Sequence, residues 1–257
     1  MINCIKERFE IIMTVIFAHR GSKWNRPENT IAAFDEALRV GSDGIELDVH
    51  RTKDNHLVVI HDESVDRTTN GVGLVRDLTL AELKELDAGS WFSVDYFREK
   101  IPTFIEVLEF LEEKNFQGFL NIEIKTNKFH YPHIEREIAQ VMQMRQWPFK
   151  YLYCSFSFNS LKIMHEEDPE IELAYLVKRN PFKIFIGRKA KFIGALHPNK
   201  LWFFKRVTKV PFFGKNIRPW TLNKRKQISQ TFDQKIVGFM TDNPELAVKI
   251  RNEKQRS

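Results

Sequence analysis

The sequence predicts an α/β protein with the architecture of a (β/α)8 TIM barrel and a small insertion after the second strand. Short apolar runs typical of β-strands alternate with helical patterns, which indicates βαβ units and a parallel sheet. Eight strand candidates fit within 257 residues, the usual size of such a barrel. One further apolar run breaks the alternation and marks the insertion.

The predicted elements alternate from the start of the barrel to the end of the chain. Strands are predicted at 14–19, 44–49, 118–125, 151–156, 171–177, 191–196, 217–222 and 236–241. Helices are predicted at 30–40, 102–115, 132–146, 158–167, 223–232 and 244–254. Asn29-Thr30 and Asn243-Pro244 precede the first and last helices and are typical helix starts.

The N-terminal apolar stretch is predicted to be a buried strand and not a targeting signal. Acidic residues precede Ile11–Ala18 and no small-residue cleavage site follows, unlike a signal peptide. We expect residues 1–12 to be an extension, or an upstream start ahead of Met13, with the barrel spanning 13–257. No segment reaches the roughly 18–20 apolar residues of a membrane span.

Composition excludes several classes of protein. The chain is 42% hydrophobic and 12% aromatic, enough for one large core, which argues against a disordered, collagen-like or coiled-coil chain. Cys4 and Cys154 lie far apart without a CxxC or Cys/His cluster, so neither a disulfide framework nor a structural zinc site is expected. A reducing, cytoplasmic location fits best.

Charge is concentrated in one segment. The chain has a net charge of +6, but 15 Lys and Arg and no Asp or Glu lie between Lys178 and Lys226. That segment therefore carries +15 and the remaining chain −9, since 6 − 15 = −9. Aromatic residues are interspersed among the cations, so we name 178–226 the basic-aromatic segment.

The insertion is predicted over about 50–101 and begins with a hairpin. Leu57–Ile60 follows the second strand after a turn too short for a parallel crossover, so the two runs must pair antiparallel. If the turn centres near Asp54, Asp48 lies opposite Ile60. This register brings His61 close to Asp48.

Three carboxylates are predicted to meet at the carboxyl ends of the strands. Glu46 and Asp48 alternate with apolar residues, so both point to one side of the second strand, as Glu123 and Lys125 do on the next parallel strand. A salt-bridged pair at the barrel rim would explain Glu46 and Asp48 alone. Three converging carboxylates instead imply a cation, and an all-oxygen site suits Mg²⁺ or Ca²⁺.

The neighbouring strand ends suggest chemistry on a phosphodiester. His19 and Arg20 end the first strand and His61 ends the hairpin, at the face where barrel enzymes build their sites. Arg20 and Lys125 can neutralise a phosphate, and two imidazoles can act as general base and acid.

An ordered set of motifs resembles the glycerophosphodiester phosphodiesterase family from about residue 15 to 245. The motifs are Ala18-His19-Arg20-Gly21, Pro27–Phe34, Gly44–Val49, Val59–Asp62, Asp66–Thr69, Pro102–Glu106, Asn121–Lys125, Ser155-Phe156, Trp220–Asn223 and Thr241–Pro244.

The resemblance implies a barrel that hydrolyses glycerophosphodiesters to sn-glycerol 3-phosphate and an alcohol. By position, it implies His19 and His61 as the acid/base pair. It also implies metal ligands Glu46, Asp48 and Glu123, and phosphate contacts Arg20 and Lys125. Trp220 either lines the glycerol pocket or is a core residue.

Other positions near these motifs have simpler interpretations. Glu28 is a weaker candidate for contact with the metal or substrate, and Asn29 is interpreted as a helix N-cap. Asp242 is interpreted as part of a turn. Five histidines are interpreted as surface residues: His50, His56, His130, His133 and His165.

Two alternatives to this function stay open. A barrel phospholipase acting on intact lipid would favour secretion and disulfides, whereas an inactive binding protein would lack one of the seven motif residues, all of which are present. The basic-aromatic segment is more basic than expected of the family. It is either a partly buried helix with a cationic outer face or a peripheral contact with an anionic membrane; nucleic acid fits less well.

Overall fold

The computed structural model describes residues 14–206, 214–234 and 236–256. The predicted extension at 1–12 therefore lies outside the described residues, as does part of the basic-aromatic segment. The strands are β1 Val15–His19, β2 Gly44–Arg51, β3 Leu57–Val59, β4 Phe119–Ile124, β5 Lys150–Ser155, β6 Leu173–Val177, β7 Ala195–Pro198, β8 Asn216–Ile217 and β9 Gly238–Thr241. The α-helices are α1 Ile31–Arg39, α2 Leu80–Glu85, α3 Phe104–Glu113, α4 Ile134–Gln143, α5 Phe158–Glu167, α6 Pro181–Lys189, α7 Lys200–Arg206, α8 Arg225–Asp233 and α9 Pro244–Gln255.

Eight parallel strands form a nearly closed barrel, which confirms the predicted fold. Their order is β8-β7-β6-β5-β4-β2-β1-β9. The gap between β8 and β9 is bridged beyond the end of β8, where Met240 donates its N–H to Pro219 O at 3.0 Å and accepts from Leu222 N at 2.9 Å. The barrel therefore places the last strand beside the first.

Two apolar layers hold the barrel together. A small cluster that includes Phe17, Leu152 and Met240 packs together from several strands, while a larger one joins strands to helices through residues such as Leu108. Helix starts are fixed by side-chain caps: Thr30 caps α1, and Thr103 forms a capping box with Glu106 at α3. The predicted N-cap at Asn29 is therefore wrong by one residue.

The hairpin after β2 has the predicted register. β3 pairs antiparallel with β2, with Val49 opposite Val59, and Ile60 donates its N–H to Asp48 O at 3.0 Å. The chain that follows, up to α3, contains α2 and has a small apolar cluster of its own around Leu83. The proposed domain boundaries themselves stay a prediction.

The structure differs from the sequence-based elements mainly in the last third of the barrel. The strand predicted at 191–196 is β7 at Ala195–Pro198, and the strand predicted at 217–222 has only the short ladder Asn216–Ile217. Pro219 has no N–H to continue that ladder, so Trp220 makes only an isolated bridge to Asn199. Helices α6 and α7, which were not predicted individually, lie in the basic-aromatic segment.

Among the described residues, none of the helices combines the length and apolar character required to cross a bilayer.

Candidate active site

Three buried carboxylates form the centre of the candidate site. The parallel register places Glu46 beside His19 across β1 and β2, and Asp48 beside Glu123 across β2 and β4. One oxygen from each of Glu46, Asp48 and Glu123 lies within 4.8 Å of the others. The convergence predicted from the strand ends is thus present.

Asp48 is the most strongly held of the three carboxylates. Its Oδ2 accepts from Asn29 Nδ2 at 2.9 Å and lies 3.4 Å from Arg20 Nε, while Lys125 Nζ lies 3.5 Å from Oδ1. Burial alone would raise the pKa of Asp48, but the charges of Lys125, His61 and Arg20 outweigh it and hold that pKa well below its usual range. Asp48 is therefore ionised.

At Glu46, burial and repulsion from the other carboxylates outweigh the nearby positive charge. Burial and then the charges of Asp48 and Glu123 raise its pKa well above the usual value, although Arg20 N donates to its Oε2 at 2.9 Å. Burial also raises the pKa of Glu123, against the 2.9 Å hydrogen bond from Lys125 Nζ. The cluster thus carries more carboxylates than neighbouring cations can neutralise.

The donor set fits a divalent cation. All three carboxylates are buried and offer oxygen only, and Asp48 Oδ1 is buried without a hydrogen bond. Hard cations such as Mg²⁺ and Ca²⁺ prefer such oxygens, and a positive ion would relieve the repulsion that raises the pKa of Glu46. Glu46, Asp48 and Glu123 can therefore bind a metal ion.

His19 lies beside this cluster and is oriented by a residue from the far end of the chain. Its Nδ1 lies 2.6 Å from Asp242 Oδ1, and its Nε2 lies 4.0 Å from Glu46 Oε2. Asp242 accepts on its other oxygen from Asn223 Nδ2. Burial, followed by the charge of Arg20, lowers the pKa of His19 to about 4 despite Asp242, so the imidazole is neutral near pH 7.

His61 is oriented in a similar way at the end of the hairpin. Its Nδ1 lies 2.6 Å from Asp62 Oδ1, and Arg67 Nε donates to Asp62 Oδ2 at 2.6 Å. The same guanidinium reaches Glu28 Oε1 at 2.7 Å, which links the insertion to the barrel. Each motif histidine thus has its Nδ1 held by a carboxylate.

Arg20 and Lys125 both contact the carboxylate cluster. Arg20 Nη1 also donates to Glu28 Oε1 at 2.8 Å, and the Glu28 carboxylate has its pKa lowered to about 2 because its contacts with Arg67 and Arg20 outweigh burial. Glu28 therefore positions Arg20. Within the described contacts it is not a neighbour of the three-carboxylate cluster.

Trp220 forms part of a cleft that opens from the site. The cleft has a volume of about 980 Å³, and Arg20, His61 and Lys125 line it together with Trp220. The indole donates Nε1–H to His197 O at 2.8 Å and packs edge to face on Phe156, with 5.6 Å between the ring centres. Of its two interpretations, the position of Trp220 agrees with a pocket wall.

The sequence interpretation missed the contacts of two residues near the site. His50 is fully buried, not at the surface: its Nδ1 lies 2.9 Å from Tyr131 OH and its Nε2 lies 3.2 Å from His61 O. Asp242 is the partner of His19, while Asn243 caps α9. Closure of the barrel, which puts the last strand beside the first, is the signal that could have identified Asp242.

The fold and site define a barrel enzyme with a buried acidic centre flanked by two histidines. Residues 19–246 match the family model described as the glycerophosphoryl diester phosphodiesterase family. The chain belongs to this family and is an enzyme.

Relatives align with this chain along almost their whole length. A glycerophosphodiester phosphodiesterase of Bacillus altitudinis is 42% identical, over 94% of this chain and 99% of its own. A glycerophosphodiester phosphodiesterase of Caldanaerobacter subterraneus subsp. tengcongensis is 38% identical, over 92% of this chain and 97% of its own. This chain also resembles the structure of a phosphodiesterase from Oleispira antarctica in complex with the product sn-glycerol-3-phosphate. The two superpose with a TM-score of 0.83 at 29% identity, over 93% of this chain and 97% of the other.

Proposed function

We propose that this enzyme is a metal-dependent phosphodiesterase that hydrolyses glycerophosphodiesters to sn-glycerol 3-phosphate and an alcohol. The observation that carries the proposal is the arrangement of two histidines, each held by a carboxylate, around a buried cluster of three carboxylates. The product complex of the Oleispira antarctica relative supports the glycerol 3-phosphate half of the substrate.

In this proposal Glu46, Asp48 and Glu123 hold one divalent cation, Mg²⁺ or Ca²⁺. When bound, the cation would supply positive charge to the non-bridging oxygens of the phosphate. Arg20 and Lys125 neutralise the remaining charge, since both stay protonated beside the cluster. Burial opposes their charged forms, but the charges of nearby carboxylates outweigh it and raise the pKa of each.

The two histidines would move protons on opposite sides of the phosphorus. One imidazole accepts the proton of the glycerol 2-hydroxyl as that oxygen attacks phosphorus, and the other protonates the departing alcohol oxygen. Water then opens the cyclic phosphate to give sn-glycerol 3-phosphate. The carboxylates at the Nδ1 atoms of His19 and His61 orient both rings so that Nε2 can take part in proton transfer. Trp220 contributes to the wall of the glycerol pocket.

Release of glycerol 3-phosphate from several glycerophosphodiesters, with and without EDTA, tests this function. We expect turnover that EDTA abolishes and added Mg²⁺ or Ca²⁺ restores. His19→Ala and His61→Ala should remove turnover with unchanged far-UV circular dichroism, whereas His165→Ala, at an exposed position on α5, should keep it. Full activity in EDTA would contradict the metal requirement, and an active His19→Ala variant would contradict the assigned role.

We also propose a peripheral contact between helices α6 and α7 and anionic membranes. Phe182 and Phe185 are 70% and 54% exposed on α6, and Leu201 is 44% exposed on α7. They lie in the segment that has 15 cations and no acid. Apolar side chains among cations suit the interface of an anionic bilayer.

Co-sedimentation with anionic and neutral vesicles at low salt tests this contact. We expect binding to the anionic vesicles only, and a loss of binding in a Phe182→Ser/Phe185→Ser variant. Phe97→Ser, at a residue 60% exposed in the insertion, is the matched control and should bind normally. Equal binding to both kinds of vesicle would refute the proposal.

A further inference from the structure

The cleft that opens from the site extends onto the start of the basic-aromatic segment. Lys178, just after β6, and Lys183, on α6, line the same 980 Å³ cavity as Arg20 and His61. This volume is near the upper end for small-molecule sites, so the cleft has room for both halves of a diester. On α6, Lys183 lies about 100° around the helix axis from Phe182, so the two belong to different faces.

Positively charged residues outnumber acidic residues along the described lining of the cleft. Glu63 is the one acidic residue among the described lining residues, and it pairs with Lys128 at 2.6 Å. Arg20 and Lys125 already contact the buried carboxylates. Within the part of the chain that the structure describes, no carboxylate lies within ion-pair distance of Lys178 or Lys183.

Lys178 is placed over the aromatic wall of the cleft. Its Nζ lies 5.7 Å from the centre of the Phe156 ring, which in turn packs against Trp220. Such a cation–π contact favours an ammonium position above the ring. Lys178 therefore presents positive charge beside the same aromatic residues that border the proposed glycerol pocket.

We propose that Lys178 and Lys183 are specificity-determining residues that select glycerophosphodiesters whose alcohol carries its own negative charge, such as a second phosphate. This inference rests on the proposed function. The glycerol half is common to all such substrates, so charge on the cleft wall can discriminate only between alcohols. Cationic alcohols such as choline are disfavoured for the same reason.

A matched pair of substrates tests the selection. Glycerophosphoglycerol has a neutral alcohol, and the same compound with a terminal phosphate on that alcohol differs only in charge. We expect a higher kcat/KM for the phosphorylated compound, and a Lys178→Gln/Lys183→Gln variant should lower that preference about fivefold through KM. The preference should also fall with ionic strength, because both lysines are exposed.

Controls distinguish a failure of this inference from a failure of the proposed function. Lys189→Gln removes one positive charge from α6 at a residue that does not line the cleft, and it should keep the preference. If the wild type hydrolyses neither compound, the proposed function fails and the inference with it. If it hydrolyses both and the double variant keeps the wild-type preference, or if glycerophosphocholine is the better substrate, the inference alone is overturned.

Discussion

Buried His50 should make the stability of this enzyme fall with decreasing pH in a predictable window. The carbonyl oxygen of His61 can only accept, so Nε2 of His50 donates to it. In the neutral ring, Nδ1 then accepts from Tyr131 OH. Burial, followed by the charge of Lys125, accordingly lowers the pKa of His50 from 6.5 to about 4.

The size of the effect follows from linkage between protonation and folding. Below pH 6.5 the unfolded chain protonates His50 while the folded enzyme does not, so protons favour unfolding until the pH reaches about 4. At about 1.4 kcal/mol per pKa unit, this residue removes about 3 kcal/mol of the free energy of unfolding across that window. The loss ends below about pH 4, where both states bind the proton.

His50→Gln isolates this contribution, because glutamine offers one donor and one acceptor but no charge. The free energy of unfolding should be measured by urea titration, followed by tryptophan fluorescence, at several pH values from 7.5 to 4. We expect the variant to be about 1–2 kcal/mol less stable than wild type at pH 7.5. That deficit should vanish or reverse near pH 4.

The difference in stability between wild type and His50→Gln decides whether the reasoning holds. Other titrating groups are common to both proteins and cancel in the difference, so parallel stability curves for wild type and His50→Gln would refute it. His130→Gln is the matched control: it makes the same substitution at an exposed imidazole and should leave the free energy of unfolding at pH 7.5 unchanged.

Three further predictions concern the site. Saturation with Mg²⁺ or Ca²⁺ at about 100 times Kd should stabilise the folded chain by about 2.7 kcal/mol, which raises Tm by about 5–10 °C in calorimetry. Glu46→Gln should reduce this rise in Tm, and an undiminished rise would locate the ion elsewhere. Asp242→Asn should lower kcat about 10²-fold with little change in KM, because His19 loses its orienting carboxylate; steady-state kinetics showing a normal kcat would contradict this. Tyr131→Phe leaves Nδ1 of His50 without its donor and should cost about 1–3 kcal/mol in urea unfolding, whereas an unchanged midpoint would argue against that bond.

Much of the barrel and of the candidate site could be predicted because strand periodicity is local information. Alternation along β2 placed Glu46 and Asp48 on one face, and the short turn at Asp54 fixed the hairpin register that the structure shows. Parallel strands have their carboxyl ends on one side, so residues that end different strands had to converge. The roles assigned to these residues stay proposals.

Other features depend on long-range packing. His50 lies next to the last residue of β2, where no motif predicts a partner for its ring, but Tyr131 and the hairpin cover it. Asp242 lies in a turn-like Asp-Asn-Pro sequence, and only the closed barrel brings it to His19. In the basic-aromatic segment, aromatic and basic residues alternate without the 3.6-residue apolar period of an amphipathic helix, so α6 could not be predicted from the sequence.

The contact between His19 and Asp242 also bears on the order in which the enzyme matures during synthesis. The two residues are 223 positions apart in the sequence yet 2.6 Å apart in space. A chain emerging from the ribosome exposes His19 first, and its ring acquires an orienting carboxylate only when β9 pairs with β1. Full competence for catalysis should therefore arise only when the barrel closes.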